Sequence, residues 1–246
     1  MRNLKVVMSY NGTAYHGFQS QSNAIAIQDV VQAKIAQLLK QPVLIHGCSR
    51  TDTGVHAKAF VFNFHTESKI PNQGFIKGMN TVLPEDIAFA SCEDVPEDFH
   101  ARFSSKGKEY IYVVNNSGRR DVFGKDLSMN HPLRLDEEKL DAAAKLFVGK
   151  HNFAAFCKAE AKQNLKSTER TIYDFRVIRD GENVYFIVSG DGFLHNMVRI
   201  LVGTLIYIND GKRCEKDIID ALSTGERDCA GMTLPPCGLY LNKVFY

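Results

Sequence analysis

The stretch Gly47–Phe64 constrains the fold of this chain more than any other. Its second part, Ala59–Phe64, carries three phenylalanines two positions apart, so that one face of the run is aromatic. This period of two predicts a β-strand. A second apolar run, Val43–Ile45, precedes it and predicts another strand. The polar residues between the two runs are therefore expected to form a loop from strand to strand.

The loop places Arg50 two positions before Asp52. One interpretation is an ordinary loop ion pair without a function. The other is a guanidinium group that sets the ionisation and direction of a reactive carboxylate. On residue types alone the structural interpretation is favoured, because ion pairs are common in proteins and catalytic ones are rare.

Composition limits the class of protein. The chain has 246 residues, 44% of them hydrophobic and 24% charged, which is typical of one large or two small globular domains. Its net charge of +2 is too small to indicate a polyanionic partner, so any polyanion would have to be bound by local clusters. The six cysteines form no C-x-x-C pair, which predicts reduced thiols and no zinc site. No signal peptide or membrane span is predicted, and we expect a cytoplasmic protein.

Periodicity predicts strands followed by helices, twice over. This order is typical of an α+β protein with two halves, residues 1–105 and 106–246, each an antiparallel sheet with helices on one face. Asp136 is the expected N-cap of the third helix, and Asn116–Arg134 is expected to be a loop or lid. The predicted helices are Ile27–Leu39, Gln73–Leu83, Glu137–Phe147, Leu194–Ile208 and Asp217–Leu222. The predicted strands are Leu4–Ser9, Val43–Ile45, Ala59–Phe64, Ile87–Cys92, Glu109–Asn115, Ile172–Ile178, Val184–Val188 and Leu239–Phe245.

Three further clusters could carry chemistry. Phe99–Phe103 holds a histidine and an arginine between two phenylalanines, which also suits a strand anchored by its aromatics. Tyr110 and Tyr112 share one face of a strand, where tyrosines usually pack in the core but can also stack on a base or accept a proton. Arg199 lies within an apolar helix, so it either extends to water or pairs with a buried acid.

The sequence lacks the motifs that are typical of several common reaction types. The sequence has no glycine-rich phosphate loop, no set of metal ligands and no Ser or Cys triad pattern. Chemistry without a cofactor, on a substrate held by arginines and aromatics, fits a nucleic-acid base.

The segment Arg50–His56 reads RTDTGVH and resembles the R-T-D-[AS]-G-V-H signature of the tRNA pseudouridine synthase A family. Five more blocks are similar to motifs of this family and occur in the same order, so the resemblance covers essentially the whole chain. These blocks are Tyr15–Gln19, Phe99–Phe103, Lys108–Tyr112, Gly192–Gly203 and Gly238–Leu241.

The resemblance implies a fold and an activity. Members of this family are cofactor-free homodimers that isomerise uridine to pseudouridine at positions 38–40 of the tRNA anticodon arm. Their α+β fold has two ferredoxin-like (RRM-like) halves whose antiparallel sheets join into one extended sheet, with helices on one face and the catalytic cleft between the halves. The N-terminal half would then carry the aspartate loop, and the C-terminal half the tyrosine strand and the arginine helix.

The resemblance also assigns roles to residues. Asp52 matches the catalytic aspartate that attacks uridine, on the base or on the ribose, and Arg199 matches the arginine that pairs with it. Arg50 matches the arginine that enters the RNA helix and helps to flip the target base. Tyr110 matches the tyrosine that stacks on the base and is the candidate acceptor of the carbon-5 proton. The other residues expected to bind substrate are His56, His100, Arg102 and Phe103.

Some positions depart from the family pattern. Ser49 stands where glycine is usual, Thr53 where alanine or serine is usual, and Ile111 where a basic residue is frequent. The stretch Leu234–Pro236 also differs from the family's T-A-P-A. No catalytic residue type is lost, but these departures leave the choice of substrate open. The alternatives are therefore a paralogue that modifies another structured RNA, such as rRNA, and a catalytically silent RNA-binding module.

Overall fold

A computed structural model describes residues 1–158 and 166–246 of the protein. The chain folds into two compact units. The first consists of Met1–Lys106 together with Tyr240–Tyr246, and the second of Gly107–Leu239. The end of the chain thus belongs to the same unit as its beginning.

The first unit is built on a sheet with the strand order β4-β1-β3-β10. The central strand β1 is antiparallel to both neighbours, with Val6 opposite Phe62 of β3 and Cys92 of β4. The strand β10 is parallel to β3, and the short β2 is antiparallel to it. The elements are β1 (Arg2–Tyr10), α1 (Ile27–Leu39), β2 (His46–Gly47), β3 (His56–Thr66), α2 (Asn72–Val82), β4 (Ile87–Val95) and β10 (Leu239–Phe245).

The aromatic face of β3 forms the core of this unit, as its period of two predicts. Phe60, Phe62 and Phe64 are all fully buried. Each ring contributes roughly 1.5–3 kcal/mol by leaving water. Their ring partners, at centroid distances of 4.3, 5.5 and 5.7 Å, are Phe18, Phe89 and Phe75.

The prediction of a strand at Val43–Ile45 is wrong. Strand pairing in this region is confined to His46–Gly47. The backbone N–H of Ile45 donates to the side-chain oxygen of Gln32 on α1, at 3.0 Å, instead of to a neighbouring strand. A helix side chain thus takes the place of a strand partner.

The second unit has a sheet with the order β5-β9-β8-β7. Within it, Phe186 of β9 lies opposite Tyr112 of β5 and Val177 of β8, and these pairs are antiparallel. The two-residue strand β6 is parallel to β5. The elements are β5 (Gly107–Asn115), β6 (Met129–Asn130), α3 (Glu137–Ala144), β7 (Gly149–Asn152), β8 (Glu169–Asp180), β9 (Asn183–Gly190), α4 (Met197–Asn209) and α5 (Glu215–Thr224).

Both units thus combine mostly antiparallel sheets with helices, which confirms the predicted α+β class. Among the described residues, no helix has both the length and the apolar character needed to cross a bilayer. The helix α4 begins at Met197 instead of the predicted Leu194. Asn196 before it has a φ of 63°, in the left-handed region, which prevents the helix from extending backwards.

Asp136 is the N-cap of α3, as predicted, because its side chain accepts a hydrogen bond from the N–H of Lys139 at 3.0 Å. We expect Asp136→Ala to lower the free energy of unfolding by about 1 kcal/mol through loss of this bond. Asp136→Asn retains a capping oxygen and should remain close to the wild type. Urea denaturation of the three proteins measures the difference, and equal losses in both variants would contradict the capping role.

Candidate active site

Asp52 lies on the loop that connects β2 to β3. Its side chain is half-buried, whereas that of Arg50 is exposed. The loop ion pair and the functional use of these two residues both stay predictions, with Arg50 on the exposed side of the loop.

The end of β1 and the segment that follows it, residues 10–18, hold the aspartate loop in place. The hydroxyl groups of Tyr10 and Thr51 are hydrogen-bonded at 2.8 Å in a buried position. The N–H of Phe18 donates to the carbonyl of Thr51 at 3.1 Å, and the N–H of Gly54 donates to the carbonyl of Tyr15 at 3.2 Å. The residues on both sides of Asp52 are thus fixed by the same segment.

Two glycines allow this close approach. A Cβ at Gly12 would overlap the backbone carbonyl of Val55. A Cβ at Gly17 would lie 2.5 Å from the carbonyl oxygen of Thr51, and Gly17 also has a φ of +83°. Side chains at these positions would push the loop away, so glycine is required at both.

His56, the first residue of β3, closes the loop from the interior. It is 1% exposed. Its Nδ1 accepts a hydrogen bond from the N–H of Gly12 at 3.0 Å, and its ring stacks on that of Tyr240 at 4.7 Å. These contacts tie the end of the aspartate loop to β1 and β10.

The block after β4 presents a cluster of aromatic and cationic side chains at the surface. Phe103 is 76% exposed, and its ring centre lies 4.4 Å from that of His100. The Arg102 guanidinium lies 5.7 Å from the same phenyl ring. The ring of His46 lies 5.0 Å from that of His100, and burial followed by repulsion from His100 lowers the pKa of His46. Flat and cationic groups thus lie together at one surface, as a base and a phosphate would require.

In the second unit, the two tyrosines of β5 differ in their surroundings. Tyr112 is fully buried, and its hydroxyl donates to the carbonyl of Pro235 at 2.8 Å. Burial raises the pKa of this phenol. Tyr110 is 7% exposed, and its ring makes an edge contact with Phe193 at 5.1 Å. Tyr112 therefore has a structural role, whereas the plane of Tyr110 is held by Phe193.

Arg199 lies in the first turn of α4 and is oriented by two hydrogen bonds. Its Nε donates to the carbonyl of Leu234 at 2.6 Å, and its Nη1 donates to the side-chain oxygen of Asn196 at 2.8 Å. The left-handed backbone of Asn196 brings this side chain beside the helix start. The two alternatives for this arginine, reaching water or pairing with a buried acid, stay predictions, and its guanidinium is held by protein groups at Nε and Nη1.

The sequence reasoning missed the side chains that orient the others, namely Tyr10, Thr51 and Asn196. Gly12 and Gly17 were the available signal, because glycines so close to a strand end indicate a close backbone approach. No group of three or more His, Cys, Asp or Glu residues that could hold a metal ion occurs in residues 1–158 and 166–246.

Comparison with known proteins gives a consistent result. A family model described as tRNA pseudouridine synthase matches residues 6–104 and 143–246. The chain is 42% identical to "tRNA pseudouridine synthase A 2" of Clostridium perfringens over 246 residues, which is the full length of both chains. It is 43% identical to tRNA pseudouridine synthase A of Ruminiclostridium cellulolyticum and 41% identical to that of Geotalea uraniireducens, again over the full length of each. This chain therefore belongs to the tRNA pseudouridine synthase A family.

Proposed function

We propose that this protein isomerises uridine to pseudouridine at positions 38–40 of the tRNA anticodon arm. The observation that carries the proposal is the rigid Asp52 loop, within a chain that is similar from end to end to proteins named tRNA pseudouridine synthase A. A carboxylate on a loop fixed from both sides suits a nucleophile, because its direction is set before substrate binds.

The reaction needs no redox partner. The bond between N1 of uracil and C1′ of ribose breaks, and a bond between C5 and C1′ forms. The proton on C5 leaves and N1 gains one, so that atoms and electrons balance within the nucleotide and solvent. Asp52 opens this sequence by attacking the nucleotide, and the base turns before it rejoins the sugar.

The other residues of the proposed site pair with the Asp52 carboxylate or position the uridine. In our proposal Arg199 is the cation that pairs with Asp52, and its two hydrogen bonds to Leu234 and Asn196 support this role by fixing the direction of the guanidinium. Tyr110 stacks on the base and accepts the carbon-5 proton. Arg50, which is exposed, enters the RNA helix and replaces the flipped base. Flipping costs a few kcal/mol, which stacking and this arginine offset.

The other predicted substrate-binding residues divide into two groups. The surface cluster of His100, Arg102 and Phe103 contacts the RNA in our proposal. His56 is almost fully buried, so we assign it to positioning the loop from the inside. We further propose a homodimer that works in the cytoplasm, where its tRNA substrate is available.

The first test is Asp52→Asn. We expect pseudouridine formation on tRNA transcripts with uridine at positions 38–40 to fall by at least about a thousandfold, because an amide is a far weaker nucleophile than a carboxylate. Transcript binding should persist. Asp98→Asn changes an exposed aspartate of the same unit and is the matched control. Activity of Asp52→Asn within about tenfold of the wild type would overturn the assignment, and an inactive wild type that binds tRNA would favour the RNA-binding module.

The role of Arg50 is tested with Arg50→Ala and two substrates. We expect turnover to fall strongly on a transcript in which the target uridine is paired, because the arginine no longer offsets the cost of flipping. On a transcript with the same uridine left unpaired, the loss should be much smaller. Lys69→Ala, which removes another exposed cation of this unit, should leave both rates unchanged. Equal losses on the two substrates would show that Arg50 acts in some other step.

The two tyrosines of β5 offer a matched pair of single-atom changes. Tyr110→Phe keeps the stacking ring but removes the proton acceptor, and we expect turnover to fall by about a hundredfold or more. Tyr112→Phe removes the hydrogen bond to Pro235 and should lower stability by about 1 kcal/mol while turnover persists. Single-turnover assays and urea denaturation separate these effects. Full activity of Tyr110→Phe would restrict this residue to stacking.

A further inference from the structure

We propose that Tyr10, acting through Thr51, is a positioning residue for the Asp52 carboxylate. The inference rests on the proposed role of Asp52 as nucleophile. It adds a residue outside the sequence blocks that resemble the family, at the end of the first strand of the chain.

The geometry begins with a buried pair of hydroxyl groups. Tyr10 is 4% exposed and Thr51 is 7% exposed, and their oxygens lie 2.8 Å apart. Tyr10 belongs to the strand β1, which pairs on both sides with other strands and is therefore fixed. A rigid strand thus holds the side chain of the residue directly before Asp52.

The same residue is held at its backbone. The carbonyl of Thr51 accepts the N–H of Phe18 at 3.1 Å, so that Thr51 is bonded at both its side chain and its main chain. Two hydrogen bonds restrict both translation and rotation of a peptide unit, whereas a single hydrogen bond still allows it to rotate. Without the tyrosine hydroxyl, Thr51 would keep only the hydrogen bond from the N–H of Phe18 to its carbonyl. The peptide that leads into Asp52 would then rotate about this bond and change the direction of the Asp52 side chain.

Such a displacement would affect turnover more than binding. A misplacement of about 1 Å at a reacting group can cost about a hundredfold in rate. Asp52 contributes chemistry, and the proposed RNA contacts of Arg50, Arg102 and Phe103 are made by other side chains. We therefore expect kcat to fall about tenfold to a hundredfold in Tyr10→Phe, with KM for tRNA unchanged within about twofold.

Tyr15→Phe is the matched control. Tyr15 is 6% exposed, lies in the same segment and donates its hydroxyl hydrogen bond to Asp86 at 2.7 Å, away from the aspartate loop. Its contact with the loop uses the backbone carbonyl, which the substitution leaves in place. Both variants lose the hydroxyl hydrogen bond of a buried tyrosine, and we expect a lower kcat only in Tyr10→Phe.

Variants of Thr51 test whether the two hydroxyls act as a unit. Thr51→Val keeps the shape and removes the hydroxyl, and it should lower kcat as much as Tyr10→Phe. Thr51→Ser keeps the hydroxyl and should restore most of the activity. The double variant Tyr10→Phe, Thr51→Val should be no slower than either single one, because the shared bond can be lost only once.

The outcomes separate this inference from the proposed function. A wild type that forms no pseudouridine on any tRNA transcript overturns the proposed function and, with it, this inference. An active wild type with equal kcat in Tyr10→Phe and Tyr15→Phe, or additive losses in the double variant, overturns the inference alone. A lower kcat, an unchanged KM and non-additive losses establish the positioning role.

Discussion

The structure around the proposed nucleophile depends on one contact, between residues 10–18, at and after the end of β1, and the loop that carries Asp52. Side-chain and backbone hydrogen bonds join Tyr10 and Phe18 to Thr51, and Gly12 lies directly against the loop backbone. Each bond adds only about 0.5–1.5 kcal/mol to stability. Together these bonds fix the position of the loop, because a loop that would otherwise move in water is held in one orientation by a strand of the core. The same contact explains why glycine is needed beside the proposed nucleophile.

Backbone acceptors serve the same purpose in the second unit. The carbonyl of Leu234 accepts a hydrogen bond from the Arg199 guanidinium, and the carbonyl of Pro235 accepts one from the Tyr112 hydroxyl. This stretch departs from the family pattern in its residue types. Carbonyl groups are present whatever the side chain, so the departure leaves both acceptors available. The difference at Leu234–Pro236 therefore does not weaken the proposed role of Arg199.

Periodicity and capping predicted much of the fold. The bounds of α1 and β10 agree with the prediction, and the Asp136 cap is observed, because these features depend on neighbouring residues. Predictions failed where a distant or unusual group intervened. The strand at Val43–Ile45 is replaced by a bond to Gln32, and α4 begins late because Asn196 is left-handed. The motif around Asp52 drew attention to that residue but could not show that Tyr10 holds Thr51, which lies 41 positions further along the chain.

Three of the similar sequence blocks meet within the first unit, although they are far apart along the chain. Tyr15–Gln19 supplies backbone groups to the aspartate loop, and Arg50–His56 is that loop itself. The block Gly238–Leu241 contributes Tyr240, which pairs with His56 in the sheet and stacks on its ring. His56 in turn accepts the N–H of Gly12, so the end of the chain supports the same loop as its beginning. A buried histidine in this position is best understood as the link between these segments, because its ring contacts are already made before any RNA binds.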